Sequence, residues 1–398
     1  MTNTASFKQI WQLSLFSFIV AAISGFLYRY GMLYSLPEWL HFANIRHAHS
    51  HLMFFNWICA PIMVWMAASI TGCTSEKLIR KFTTCLYSML FLGFLSFPLF
   101  LVYGYHSVAI GTANLPLAAI VSGLVMLNWY WFARLYYSNR KGAPSTLSMS
   151  FFDGALLALI ISSLGAWGVS VFQFTNVDSP LTASAMTHFF LTVFTEGWAV
   201  LGILGIIWSQ IQDKESLITI TPGWLWIPIL FGSMMVFPFS LTQTMITPLM
   251  LSAAKAGLVL IVLSLSLNVW LLIKSKELNG FLWKSVIALL ILKILLQSLA
   301  ILPVDIWPGE HGLRVLYLHM LLLGFVSITL FESFHPSRNW FAKVLFTTSV
   351  FLVVISLINI SGYWPARFII PNIYFWIMII AILPIIPATH IWISDLLN

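Results

Sequence analysis

Ten histidines occur in this chain of 398 residues, and three of them open one apolar segment: Arg46-His47-Ala48-His49-Ser50-His51-Leu52-Met53-Phe54-Phe55. Imidazole is costly to bury in hydrocarbon unless it meets a metal, a partner or water. It is also the commonest protein ligand of haem iron, copper and zinc. On a helix, His47 and His51 are four residues apart and share a face. His49 points about 160° from their mean direction, at 100° per residue. One helix can therefore offer one histidine to a cofactor and two to a second metal or to the outer surface. A histidine at the start of a segment also serves, without any ligand, as a hydrated residue at headgroup level. Both readings are open for His47, His106 and His311.

The elements that carry these residues are membrane helices. The chain is 60% hydrophobic and 8% charged, with a mean hydropathy of +0.93, whereas soluble domains carry roughly 25% charged residues. Spanning needs about 20 mostly apolar residues. That rule predicts an all-α polytopic protein of twelve transmembrane helices, near 8–29, 46–71, 81–103, 110–137, 150–173, 184–209, 222–243, 250–274, 281–302, 313–333, 342–361 and 371–394. The connections are short, so residues 1–398 read as one integral-membrane domain with no soluble module. No cleavage site follows the first apolar run, and Cys73 and Cys85 flank a basic loop expected in the cytoplasm, which argues against a disulfide.

The net charge of +7 marks loops, not nucleic acid. Lys8, Lys77, Arg80, Lys81, Arg134, Arg140, Lys141, Lys214, Lys274, Lys276, Lys284, Arg338 and Lys343 all fall on one side of the predicted topology. The positive-inside rule places that side, and both termini, in the cytoplasm. The expected setting is a bacterial inner membrane, with lipid and other membrane or electron-donor subunits as partners. With this topology the even-numbered helices run inwards from the outer face. His49, His188 and His319 then lie at similar depth in the outer half, on the second, sixth and tenth segments. Shared depth matters because two axial ligands must reach one iron.

This pattern resembles the subunit I superfamily of haem-copper oxidases. His49-Ser50-His51-Leu52-Met53-Phe54-Phe55 is similar to the second helix of its cbb-type members, and His47-Ala48-His49 before apolar residues resembles the NnrS family of membrane haem proteins. The resemblance implies a twelve-helix bundle of that architecture, with His49 and His319 as haem ligands and His188 as the sixth-helix metal ligand. It implies a role in respiration: electron transfer, or the handling of nitric oxide or oxygen. The chain departs from the oxidase pattern in its seventh segment, around Trp224 to Thr244, which holds no histidine. The usual copper pair is thus missing, so a complete binuclear centre is not expected, and whether the chain is an enzyme stays open. His47 and His51 with His188 are the residues left for a second metal such as copper or iron. No Cys-x-x-Cys-His run occurs, so the haem would be held non-covalently, as b-type haem is.

Other polar residues sit in or beside apolar segments. Arg46 and Arg314 are outer-side arginines suited to haem propionates, or to lipid headgroups. Glu196, in the middle of the sixth segment, reads either as a proton relay or as an acid bonded to a neighbouring helix, with Lys293 the candidate partner. The main alternative function is a secondary transporter of a metal ion or protons, coupled through Glu196 and Lys293, with the outer histidines as the capture site.

Overall fold

The computed structural model describes residues 5–72, 76–175, 180–211, 221–302, 307–334 and 339–397. Lys214, Cys73, His335 and Arg338 lie outside the described residues. The protein is all-α and polytopic. Among the described residues, eleven helices are long and apolar enough to cross a membrane. They are α1 (Ala5–Tyr30), α2 (Phe42–Thr71), α3 (Glu76–Tyr103), α4 (Leu117–Arg140), α5 (Leu147–Val171), α6 (Leu181–Gln210), α8 (Pro248–Ser275), α9 (Phe281–Ile301), α10 (His311–Phe334), α11 (Trp340–Ile358) and α12 (Ile373–Leu396).

The segment expected as a helix over 222–243 is different. Its α-helical part, α7, is only Ile227–Met235, flanked by 3-10 turns at Pro222–Leu225 and Phe237–Ser240. The prolines explain this. Pro228 starts α7, and Pro238 has no N–H to continue its ladder. The expected helix start at 110 is also displaced. A two-stranded hairpin, β1 (Val108–Ile110) with β2 (Ala113–Leu115), occupies that stretch, and α4 begins at Leu117.

The chain divides into two compact units. The first holds α1 to α4, residues 339–349 with the start of α11, and α12; the second holds α5 to α10 and residues 350–370. In the first, α1 packs on α2 and on α12, and α3 packs on α2 and α4. Trp57 of α2 meets Trp11 and Phe18 of α1 at ring-centroid distances of 5.6 and 4.8 Å. In the second, α5 packs on α6, and α8 on α7 and α9.

Burial separates α2 and α6 from the rest. In α2, 83% of the most apolar window is buried, and in α6 89%, against 33% in α9 and α12. Helices that are apolar all round and enclosed by protein form a core, so α2 and α6 are central to their units and the others present a face to lipid. A π-helical turn interrupts each of α2, α6 and α10, at Met53–Cys59, Val193–Ala199 and His319–Val326. Such turns are rare and gather at functional sites. Pro61 follows the first, and Gly197 and Gly324 lie within the other two, residues that weaken a regular ladder.

Candidate functional sites

In the first unit the α2 histidines diverge as their spacing predicts. The His49 ring turns towards α1, where its Nδ1 lies 2.7 Å from the backbone carbonyl of Ala21. A carbonyl only accepts, so Nδ1 carries the proton and Nε2 carries the lone pair. Gly25 allows this approach: a Cβ there would stand 3.1 Å from His49 Cε1, tighter than normal contact.

His47 and His51 face the α3 end. The His51 ring stacks on Phe100 at 3.9 Å and 14°, and its Nε2 is 3.0 Å from the Tyr105 hydroxyl. His47 meets the Tyr105 ring edge-on at 4.8 Å. Tyr105 is presented by a turn at Gly104, whose φ of 57° lies in the left-handed region that favours glycine. Tyr105 is 40% exposed as a residue, and desolvation of its hydroxyl end pushes the phenol up to about 12, against a smaller opposite pull from Arg46. The phenol therefore keeps its proton at neutral pH. Arg46 itself is exposed.

Deeper in α2, the Asn56 amide donates to Ser17 Oγ at 3.2 Å and to the Leu90 carbonyl at 3.1 Å. Its position inside the π turn directs it to α1 and α3 at once.

The second unit contains a different constellation. Glu196, 4% exposed within the α6 π turn, accepts from three side chains. Lys293 Nζ lies 2.6 Å from Oε2, and Gln297 Nε2 lies 3.1 Å from the same oxygen. The Tyr317 hydroxyl donates to Oε1. Lys293 and Gln297 are one turn apart on α9, the spacing at which helix neighbours align, and Tyr317 comes from α10. Lys293 is the partner anticipated for Glu196. Gln297 and Tyr317 were not anticipated. The i+4 spacing of Gln297 after Lys293 is a signal that could have drawn attention to it.

A cavity of about 400 Å³ adjoins this cluster, and its polar lining includes His188, Thr192, Glu196, Gln297, Arg314 and Tyr317. The His188 Nδ1 is buried with no hydrogen-bond partner. Arg314 reaches the Ser240 carbonyl with Nη1 at 3.3 Å. His319 opens the α10 π turn, and its Nδ1 lies 2.7 Å from the Val315 carbonyl one turn back. As for His49, the proton is thereby fixed on Nδ1 and Nε2 keeps its lone pair.

His49, His47, His51 and Arg46 thus belong to the first unit, and His188, Glu196, Arg314 and His319 to the second. Among the described residues no group of three or more His, Cys, Asp or Glu side chains is placed to hold a metal ion. No protein-family model and no curated protein matches the chain.

Proposed function

We propose that this is an integral-membrane haem-binding protein, of haem-copper-oxidase-like or NnrS-like character. On this reading it acts in electron transfer or in the binding of a diatomic gas such as nitric oxide or oxygen. The observation that carries this reading is the shared state of His49 and His319. Each has Nδ1 held at 2.7 Å from a backbone carbonyl, which leaves Nε2 as the coordinating atom. Metal-bound histidines are oriented in this way, with the second ring nitrogen donating to a carbonyl or carboxylate. The residues therefore fit an iron ligand role. Haem, when bound, supplies an iron that exchanges an electron or takes up a gas. The chain supplies the ligand nitrogens, their fixed tautomer and an apolar surrounding, with Arg46 and Arg314 as candidates for the propionates. His47, His51 and His188 are the remaining candidates for a second metal.

The test is the absorption spectrum of purified protein from haem-replete cells, oxidised and reduced, beside His49→Ala and His319→Ala. We expect a Soret band with sharp reduced α and β bands in the parent and their loss in both variants. A colourless parent protein would reject the reading.

One observation favours a second function, proton- or ion-coupled transport: the cavity in the second unit ends on the buried Glu196–Lys293 pair. Intramembrane ionisable residues mark such pathways. Proton-driven uptake into vesicles that is abolished in Glu196→Gln would identify this role.

A further inference from the structure

The cavity of the second unit is too large for the small molecules a haem iron would take. At about 400 Å³ it falls in the range of organic-ligand pockets. A diatomic gas is comparable to a water, which occupies roughly 30 Å³. The walls are mainly apolar, with leucine the commonest residue, and neither His49 nor His319 is among the lining residues.

Three features define the occupant. The first is the way in. Leu292 and Leu299 of α9 line the cavity and are 37% and 40% exposed, and their neighbours Ile291 and Leu295, which do not line it, are 38% and 56% exposed. The same wall faces the cavity and the lipid, so the molecule that enters is lipid-soluble.

The second is an unsatisfied acceptor. Gln297 is 6% exposed, and its amide nitrogen donates to Glu196 Oε2. A carboxylate cannot donate, so the amide cannot be turned round. Its oxygen, Oε1, has no hydrogen-bond partner. A buried carbonyl without a partner is costly, and a hydroxyl from a ligand would satisfy it.

The third is charge. Glu196 already holds the Lys293 ammonium at 2.6 Å and the Tyr317 hydroxyl. An anionic headgroup has no hydrogen to give Gln297 Oε1, and a cationic one would add to the Arg314 and Lys293 charges already at the cavity. We propose that the cavity binds an uncharged, hydroxyl-bearing lipid, which enters past Leu292 and Leu299 and donates its hydroxyl hydrogen bond to Gln297 Oε1.

This site stands independently of the haem reading and is tested without reference to haem. Full-length protein in lipid nanodiscs is irradiated with diazirine-bearing hexadecanol or with diazirine-bearing hexadecanoic acid, and adducts are mapped by mass spectrometry. We expect the alcohol to label residues 292–300 or 313–320 and unlabelled hexadecanol to compete. Gln297→Leu should weaken binding about three- to tenfold, the effect of one lost hydrogen bond. Leu296→Trp fills the cavity from an apolar lining position and keeps Gln297, and should abolish labelling even if the glutamine variant fails to fold. Equal labelling by the acid, no labelling in this region, or undiminished labelling in Leu296→Trp would overturn the proposal.

Discussion

The central helices of the two units, α2 and α6, hold their buried polar side chains in different ways. In the first, polar side chains of the central helix are satisfied largely by backbone carbonyls of its neighbours. His49 bonds to Ala21, Asn56 to Leu90, and Asn44 to Val102. In the second, the buried carboxylate is satisfied wholly by side chains, from Lys293, Gln297 and Tyr317. Backbone carbonyls are fixed by the helix and remain whatever the side chain is. A side-chain cluster exists only if every member is present. The α2 contacts should therefore tolerate single substitutions that the Glu196 cluster does not.

The largest effect is expected at Lys293. Lys293→Met leaves Glu196 buried without its cation, and the loss of one partner of a buried pair costs about 3–5 kcal/mol. Thermal unfolding in detergent should move far below that of the parent, and the double variant Lys293→Met/Glu196→Gln should recover much of the difference. An unchanged transition in Lys293→Met would show that the two units do not differ in this way.

A smaller effect is expected at Gly25. Its missing Cβ lets the His49 ring lie against α1, and Gly25→Val would drive branched carbons into Cε1, which already sits 3.1 Å from a Cβ position. Overpacking of this kind costs about 1–3 kcal/mol. The ring should be displaced from the Ala21 carbonyl, and if His49 binds iron, the reduced α band should shift or broaden. A parent-like spectrum and melting transition in Gly25→Val would mean that the contact with α1 does not orient the imidazole.

The same contrast explains what could be read from the residues alone. The helices were legible because hydrocarbon thickness imposes length and apolarity on each span. The exception, 222–243, is as apolar as the others but contains prolines whose ring and missing N–H act locally. The opposite directions of His49 and the His47–His51 pair were legible because a helix fixes angles along one chain. The Glu196–Lys293 pairing was open to inference, since a buried acid needs a partner and Lys293 lies at mid-span. Gln297, Tyr317 and Tyr105 were not legible as partners: each meets its site across a tertiary contact that no spacing encodes. Nor did any motif announce the π turns, because proline and glycine occur near many helical residues that keep a regular ladder.

The smallest effect is expected at Tyr105, where the first unit does depend on a side chain. Its hydroxyl lies 3.0 Å from His51 Nε2, and Tyr105→Phe removes one hydrogen bond, worth about 0.5–1.5 kcal/mol. Its pH dependence identifies the contribution. The folded phenol is pushed up to about 12 by desolvation of its hydroxyl end, whereas an unfolded tyrosine ionises near 10. The folded state thus favours the neutral phenol. Its contribution is fully present below about pH 10 and declines as pH rises towards 12, because the unfolded chain gains stability by ionising first. Denaturation of the parent and Tyr105→Phe should differ below pH 10, and the parent should then lose stability more steeply up to pH 12. Parallel profiles across that range would mean that the phenol is solvated rather than enclosed, and that the His47–His51 face is open to water.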